Sequence, residues 1–202
     1  MADAHPRLVL ASASPARAAV LKQAGIAFEA RPSRLDEDEL KNSLKAEGLN
    51  ARDMADALAE AKAIKVSARD SEALVLGGDQ ILVCNDILFD KPVDMNHAAA
   101  HLAALSGKRH ELQTALVLAQ RGEAIWRHVS VAKLYMRPLS QAAIETYLMR
   151  AGDAVLSSVG AYQLEGLGAQ LFEKIDGDFF TVLGLPLLPL LQQLRLRAMV
   201  LP

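Results

Sequence analysis

The sequence holds a single cysteine, Cys84, among its 202 residues. That excludes an intrachain disulfide framework and a zinc site built on several thiolates. Aromatic residues are nearly as scarce, 4% against a hydrophobic content of 51%, so the core has to be built from Leu, Val, Ile and Ala. Neither charge sign dominates: 22 Lys and Arg oppose 24 Asp and Glu, for a formal net charge of -2 and an isoelectric point near 6.2. No global basic field recruits nucleic acid, and a phosphate ligand would need a local cluster of bases. Long apolar runs are missing too. The most apolar late stretch, Val182 to Leu191, is broken by Pro186 and Pro189 and is too short to span a bilayer. Residues 1–7 (Met1, Ala2, Asp3, Ala4, His5, Pro6, Arg7) lack the basic and apolar regions of a signal peptide, so the expectation is a soluble cytoplasmic protein. No Gly-x-x-x-x-Gly-Lys-Ser/Thr segment is present, which argues against a Walker-type ATPase. There is no internal repeat, low-complexity tract or flexible linker.

What is present is an α/β pattern, of a length suited to one domain or two closely joined lobes. It is organised around residues 74–92. Ala73 to Leu76 is a short apolar run of the kind that forms a buried central strand, followed by Gly77, Gly78 and Asp79. A carboxylate there is expected at the carboxyl end of a core strand, where open α/β sheets place ligands, with two glycines leaving the backbone uncovered. Ile81 to Cys84 and Ile87 to Phe89 flank Asn85-Asp86, which predicts a tight hairpin. The hairpin would return Asp90 and Lys91 towards Asp79, bringing an acid and a base together. An ordinary surface hairpin with solvated charges would have the same sequence.

Upstream, Arg7 to Ala11 predicts a strand, and a helix follows with Ser14 as N-cap and Pro15 at its first position. Helix N-termini bind anions, and Ser12, Ser14 and Arg17 would strengthen such a site. Capping alone asks for neither Arg17 nor a second serine. Ala27 to Arg31 predicts a short strand. In the acidic run Leu35 to Leu40, Asp36 and Glu37 are candidates for a magnesium-binding acid, against the alternative of a solvated helix start. Asn50 to Arg69 predicts the longest helix, with Met54, Ala57, Leu58, Ala61, Ile64 and Ala68 as its apolar stripe. Lys62 falls at the edge of that stripe, where a lysine snorkels to solvent unless an anion is near.

Downstream, Pro92 to Leu105 predicts another helix. His97 and His101 share one of its faces, a spacing that permits metal chelation, although no third ligand is evident. Lys108 to Gln120 reads as an alternating strand, with His110, Leu112, Thr114, Leu116 and Leu118 on one face, and Ala124 to Met136 as its partner. Ser140 caps a helix to about Arg150. Gly160, Gly166 and Gly168 mark a loop, Leu171 to Ile175 a strand, and Gly184-Leu185-Pro186 opens the last helix with Pro186 at its first position.

Taken together, the segments Leu10 to Arg17, Asp36-Glu37, Ala61-Lys62-Ala63, Gly78-Asp79, Lys91-Pro92, Leu105-Ser106-Gly107, Gly160-Ala161-Tyr162, Gly166-Leu167-Gly168 and Gly184 to Leu187 resemble the Maf family of nucleoside triphosphate pyrophosphatases. Each is weak alone, but nine in register cover nearly the whole chain. The resemblance implies a single Maf/ITPase-like α/β domain over residues 1–202, with a central mixed sheet, flanking helices, two lobes and a central cleft. It implies hydrolysis of the α–β bond of a nucleoside triphosphate to monophosphate and pyrophosphate, a house-cleaning activity that uses a divalent metal, Mg2+ or Mn2+. Residue by residue, Asp79 becomes the proton acceptor, and Ser12, Ser14, Arg17, Lys62 and Lys91 grip the triphosphate. Glu37 joins Asp79 on the metal. Nucleic acid and membrane are not implied as partners, and a homodimer is one assembly it allows.

Three positions depart from the commonest family pattern: Ala16, Gln80 and Glu165 replace Arg, Thr and Gln. In the family all three bear on base selection more than on hydrolysis, and Gln80 with Glu165 resemble the branch acting on 7-methyl-GTP rather than dTTP and UTP. A carboxylate accepts from the N1–H and exocyclic amine of guanine, which fits that branch. Two other classes remain open: a nucleotide-binding regulator linked to septum inhibition that does not turn over substrate, and a sugar-nucleotide transferase that needs a second substrate.

Overall fold

The computed structural model describes residues 7–202, so all but Arg7 of the segment read for a signal peptide lies outside the described residues. The strands are hydrogen-bonded in the order β2-β1-β3-β5-β6-β7, with β4 paired to β3. They are β1 (Leu8–Leu10), β2 (Glu29–Ala30), β3 (Leu74–Cys84), β4 (Ile87–Phe89), β5 (Arg109–Gln120), β6 (Glu123–Met136) and β7 (Phe172–Asp176). β1 runs parallel to both β2 and β3, whereas the β3–β4 and β6–β7 pairs are antiparallel, so the sheet is mixed. The chain forms two compact units. One comprises residues up to 79, 114–130 and 184–202; the other comprises 80–113 and 131–183.

In the first unit, β1 is buried throughout, as expected of an apolar strand with parallel neighbours. β2 is shorter than predicted because it forms the exposed end of the sheet order, where only two residues find a partner. Four helices belong here: α1 (Pro15–Gln23), α2 (Glu37–Ala46), α3 (Ala51–Ser67) and, late in the chain, α7 (Leu187–Arg195). Ser14, Asp36 and Asn50 cap the first three, each side chain accepting a backbone N–H three residues on.

Two expectations fail here for one physical reason. The apolar stripe of α3 is not the predicted one: beside Met54 and Leu58 the buried positions are Ala55, Ala59, Lys62, Ala63, Val66 and Ser67. β3, predicted as two strands with a break after Leu76, runs unbroken through Gly77, Gly78 and Asp79. Asp79 therefore lies within a long strand, not at the end of a short one. A Cβ on Gly77 would strike the Ala59 carbonyl oxygen and come within 2.9 Å of Ala63 Cβ. The glycine and the two alanines let α3 lie directly on β3, and this close approach turns α3 about its axis relative to the predicted stripe.

In the second unit the predicted hairpin is present. Cys84 pairs with Ile87 across Asn85 and Asp86, whose φ values of 49° and 64° are those of a primed two-residue turn. α4 (Met95–Leu105), α5 (Gln141–Ala151) and three short 3-10 segments between Gly152 and Leu171 surround a core that includes Leu82, Leu102, Leu134, Ile144 and Tyr162. A four-residue helix, α6 (Phe179–Val182), was not anticipated; Asp178 caps it through Thr181 N–H. α7 then starts at Leu187, one residue later than predicted, with Pro186 just before it. β5 is buried on both faces from Leu112 to Ala119 instead of alternating, since Ala115, Val117 and Ala119 are as apolar as the face opposite.

His110 gives the second unit a pH dependence. Its Nε2 lies 2.8 Å from the Tyr162 hydroxyl, its Nδ1 is buried without a partner, and burial pushes its pKa down to about 4. An unfolded histidine titrates near 6.5, so between these values the unfolded chain binds a proton that the native protein refuses. The stabilisation is complete above pH 6.5 and is lost as pH falls towards 4, by about 3 kcal/mol for a shift of this size. Burial also lowers the pKa of His101 and His128, with the same sign. Denaturant unfolding at pH 7.5 and 4.5 should show a smaller loss in His110→Gln than in wild type. Equal losses would assign the acid sensitivity to other groups.

Candidate active site

The site is assembled in the first unit from three elements. The first is the β1–α1 junction. Ser12 follows β1, and its Oγ accepts from Ser14 N–H at 3.2 Å and from Arg17 Nη1 at 3.0 Å. Ser14 Oγ accepts from Arg17 N–H at 3.4 Å. Arg17 is buried in the first turn of α1, and its Nε donates to the Gly184 carbonyl at 2.7 Å. The guanidinium is thus locked in place by two of its nitrogens, while Nη2 makes no hydrogen bond to the described residues. Burial lowers its pKa, and the charges of Asp79 and Glu37 oppose that shift. A guanidinium stays cationic regardless. A buried cation only partly compensated by two acids is a strong receptor for a further anion.

The second element is β3, which carries Asp79 into the interior at 5% exposure. Gly78 before it makes room for Arg17: a Cβ there would lie 3.1 Å from Arg17 Nε. The third is the pairing of α3 with the start of α2. Lys62 Nζ donates to Asp79 Oδ1 and to Glu37 Oε2, both at 2.7 Å. Lys62 lies on the buried face of α3 and does not snorkel outwards. Asp79 Oδ2 is buried with no partner, an acceptor aimed at nothing in the protein.

Six predicted residues, Ser12, Ser14, Arg17, Glu37, Lys62 and Asp79, therefore belong to one unit and are linked by hydrogen bonds, or by the charges acting on Arg17, into a single cluster. Ala16 sits half-buried at the second position of α1. Asp36, the alternative acid, is committed to capping α2. Gln80, Lys91 and Glu165 belong to the second unit. Gln80 Nε2 donates to the Thr181 and Val182 carbonyls at 3.0 and 3.2 Å. Lys91 follows β4. Glu165 is exposed on the turn before Gly166, and its charge adds to the burial that pushes the Tyr147 hydroxyl up to about 12.

His97 and His101 form a hydrogen-bonded pair. His97 Nδ1 accepts from Val93 N–H, so its Nε2 carries the proton and donates to His101 Nε2 at 2.9 Å. Among the described residues no group of three or more His, Cys, Asp and Glu is arranged to hold a metal ion. Glu37 and Asp79 are the two acids that already share one cation. Concavities of about 330 and 410 Å³, lined by residues such as Tyr147 and Leu171 or Phe28 and Leu194, contain none of these groups, so chemistry and not volume marks the site. Sequence reasoning missed the Gly184 carbonyl as the seat of Arg17. The glycine was visible as a helix-start signal, but nothing local ties it to a side chain in α1.

An α/β protein with a capped helix N-terminus, a buried arginine and a lysine shared by two carboxylates has the makings of a site for a multiply charged anion. The chain belongs to the Maf-like protein family, which matches residues 7–197. It is 53% identical over 190 residues, 94% of this chain and 96% of the relative, to a 7-methyl-GTP pyrophosphatase of Rhizobium meliloti. It is 52% identical over 190 residues, again 94% and 96% of the two chains, to a nucleoside triphosphate pyrophosphatase of Hyphomonas neptunium. A nucleoside triphosphate pyrophosphatase 1 of Jannaschia sp. is 52% identical over 196 residues, 97% of this chain and 99% of its own. Among the described residues no helix is long and apolar enough to cross a membrane.

Proposed function

We propose that the protein hydrolyses the α–β phosphoanhydride of a nucleoside triphosphate, releasing monophosphate and pyrophosphate, with a preference for 7-methylguanine-type bases. The observation that carries this is the buried Asp79 carboxylate, one oxygen held by Lys62 and the other unpartnered, in the same unit as the buried Arg17. The names of the relatives support the reaction class, and several of them support the base.

Asp79 Oδ2 is the atom that takes the proton of the attacking water. The water oxygen joins phosphorus as the bridging oxygen leaves with the departing group; attack at either phosphorus of that bridge gives the same two products. Arg17 Nη2, the α1 N-terminus and the Ser14 hydroxyl orient the phosphate chain by charge-assisted hydrogen bonds. Lys62 and Lys91 add positive charge, the latter assigned by family resemblance alone. A triphosphate carries about four negative charges, so this cationic lining is needed before any nucleophile can approach.

The family's divalent metal fits the donor set. Two carboxylates whose oxygens Glu37 Oε2 and Asp79 Oδ1 already converge on one cation suit magnesium, which takes one or two protein acids plus phosphate oxygens. Glu37 and Asp79 would hold it. When bound it would offset charge on the phosphate oxygens during displacement.

Gln80 and Glu165 are the proposed base-selecting residues. Glu165 is exposed in the chain alone, so any desolvation that sharpens its choice has to come with the nucleotide. The test is a triphosphate panel scored by pyrophosphate release, with kcat/KM for 7-methyl-GTP divided by that for UTP. Gln80→Thr with Glu165→Gln should lower that ratio by roughly tenfold, the scale of one or two exchanged hydrogen bonds. Thermal unfolding belongs beside it, since Gln80 also holds two carbonyls of its own unit. A wild-type preference for UTP, or an unmoved ratio, would withdraw the purine assignment and leave the hydrolysis intact.

A further inference from the structure

The Glu37–Lys62–Asp79 cluster carries one inference further. Lys62 Nζ stands 2.7 Å from an oxygen of each acid, and its side chain is 6% exposed. It lies on the face of α3 that rests on β3, beside Ala59 and Ala63, both fully buried. The two acids differ. Asp79 is fixed within β3 at 7% side-chain exposure, whereas Glu37 opens α2 at 46%. A monovalent cation thus occupies the approach to both carboxylates that would receive a divalent one. At such separations a fixed positive charge and an arriving dication repel strongly. Asp79 Oδ2 nevertheless remains buried and unpartnered, which one ammonium does not remedy.

Building on the pyrophosphatase assignment above, we propose that Lys62 is the resident counter-ion of this acid pair and is exchanged for the divalent metal when a polyphosphate arrives. In the substrate-free protein Lys62 keeps Asp79 paired, so that no buried carboxylate is stranded between turnovers. The incoming phosphate chain offers the ammonium an alternative partner, Glu37 and Asp79 are released together, and metal and triphosphate enter as one load. Lys62 then serves two roles in sequence, first on the acids and afterwards on the substrate. The free protein consequently has a low affinity for metal, imposed by one side chain.

Mn2+ titration of the substrate-free protein, by calorimetry and by the paramagnetic signal of the free ion, tests this without any turnover. Lys62→Met should bind Mn2+ at least about tenfold more tightly than wild type, because the competing charge is gone while both acids remain. Its thermal midpoint should rise with Mn2+ more than that of wild type. If Lys62→Met does not fold, Lys62→Gln keeps a donor for the carboxylates without the charge and must show the same tightening. Unchanged or weaker Mn2+ binding in the folded variant, with Asp79→Asn still impairing binding, overturns the exchange and leaves the metal assignment standing. Mn2+ binding that neither Asp79→Asn nor Glu37→Gln weakens, in the presence of a non-hydrolysable α,β-methylene triphosphate, overturns both.

Discussion

Asp79→Asn should bind a metal-free nucleoside triphosphate about as well as wild type and, with metal present, hydrolyse it about a hundredfold more slowly or worse, the loss expected when a positioned general base is removed. Asparagine keeps the shape of the side chain and an Oδ1 acceptor for Lys62 Nζ, which now stands 2.7 Å from that atom. Lys62 also retains Glu37, so the ammonium is not left unpaired. The fold should survive, and the defect should appear in kcat and in metal affinity rather than in binding of the metal-free nucleotide. What the amide cannot do is accept the proton of an attacking water at the position of Oδ2. Turnover within a few-fold of wild type would remove Asp79 from the chemistry.

Arg17→Ala should lower kcat/KM by roughly ten- to a hundredfold, corresponding to about 1.5–3 kcal/mol for a charge-assisted contact. The change also reaches the fold. Arg17 donates to the Gly184 carbonyl and to Ser12 Oγ, so its removal leaves a buried carbonyl without that donor and Ser12 Oγ with only the Ser14 N–H. Unfolding should be measured beside kinetics at a temperature where the variant remains folded. Arg17→Lys restores a charge without the planar fork, so it should recover only part of either property. If the activity lost matched the folded fraction lost, Arg17 would be a structural residue and would drop out of the anion site.

The β3–β4 hairpin was legible in the sequence because Asn85-Asp86 between apolar runs has a local cause: both residues tolerate the positive φ they adopt. The Ser14 cap, Pro15 and the placement of Arg17 one turn into α1 were legible on the same local grounds. Lys62 was not. Counting apolar residues on α3 set the stripe by Ala57, Ala61 and Ile64, whereas the true contact is governed by Gly77 on a different strand, which selects Ala59 and Ala63. A small-residue stripe facing a glycine strand is a tertiary match, and helical periodicity alone does not detect it. For the same reason β3 looked broken: glycines that signal a turn when read locally here mark a helix lying against the sheet. Asp79 was found through its neighbours, but its unpartnered Oδ2 and its sharing of Lys62 with Glu37 are three-dimensional facts.

The central claim is that this cluster cleaves one defined bond, and product identity tests it most directly. Purified protein, a divalent metal and 7-methyl-GTP should yield monophosphate and pyrophosphate in equal amounts, with no accumulation of diphosphate or orthophosphate, and Asp79→Asn should slow the release of both products to the same extent. Release of orthophosphate with a diphosphate, or tight triphosphate binding with no product across the nucleotide panel, would contradict it.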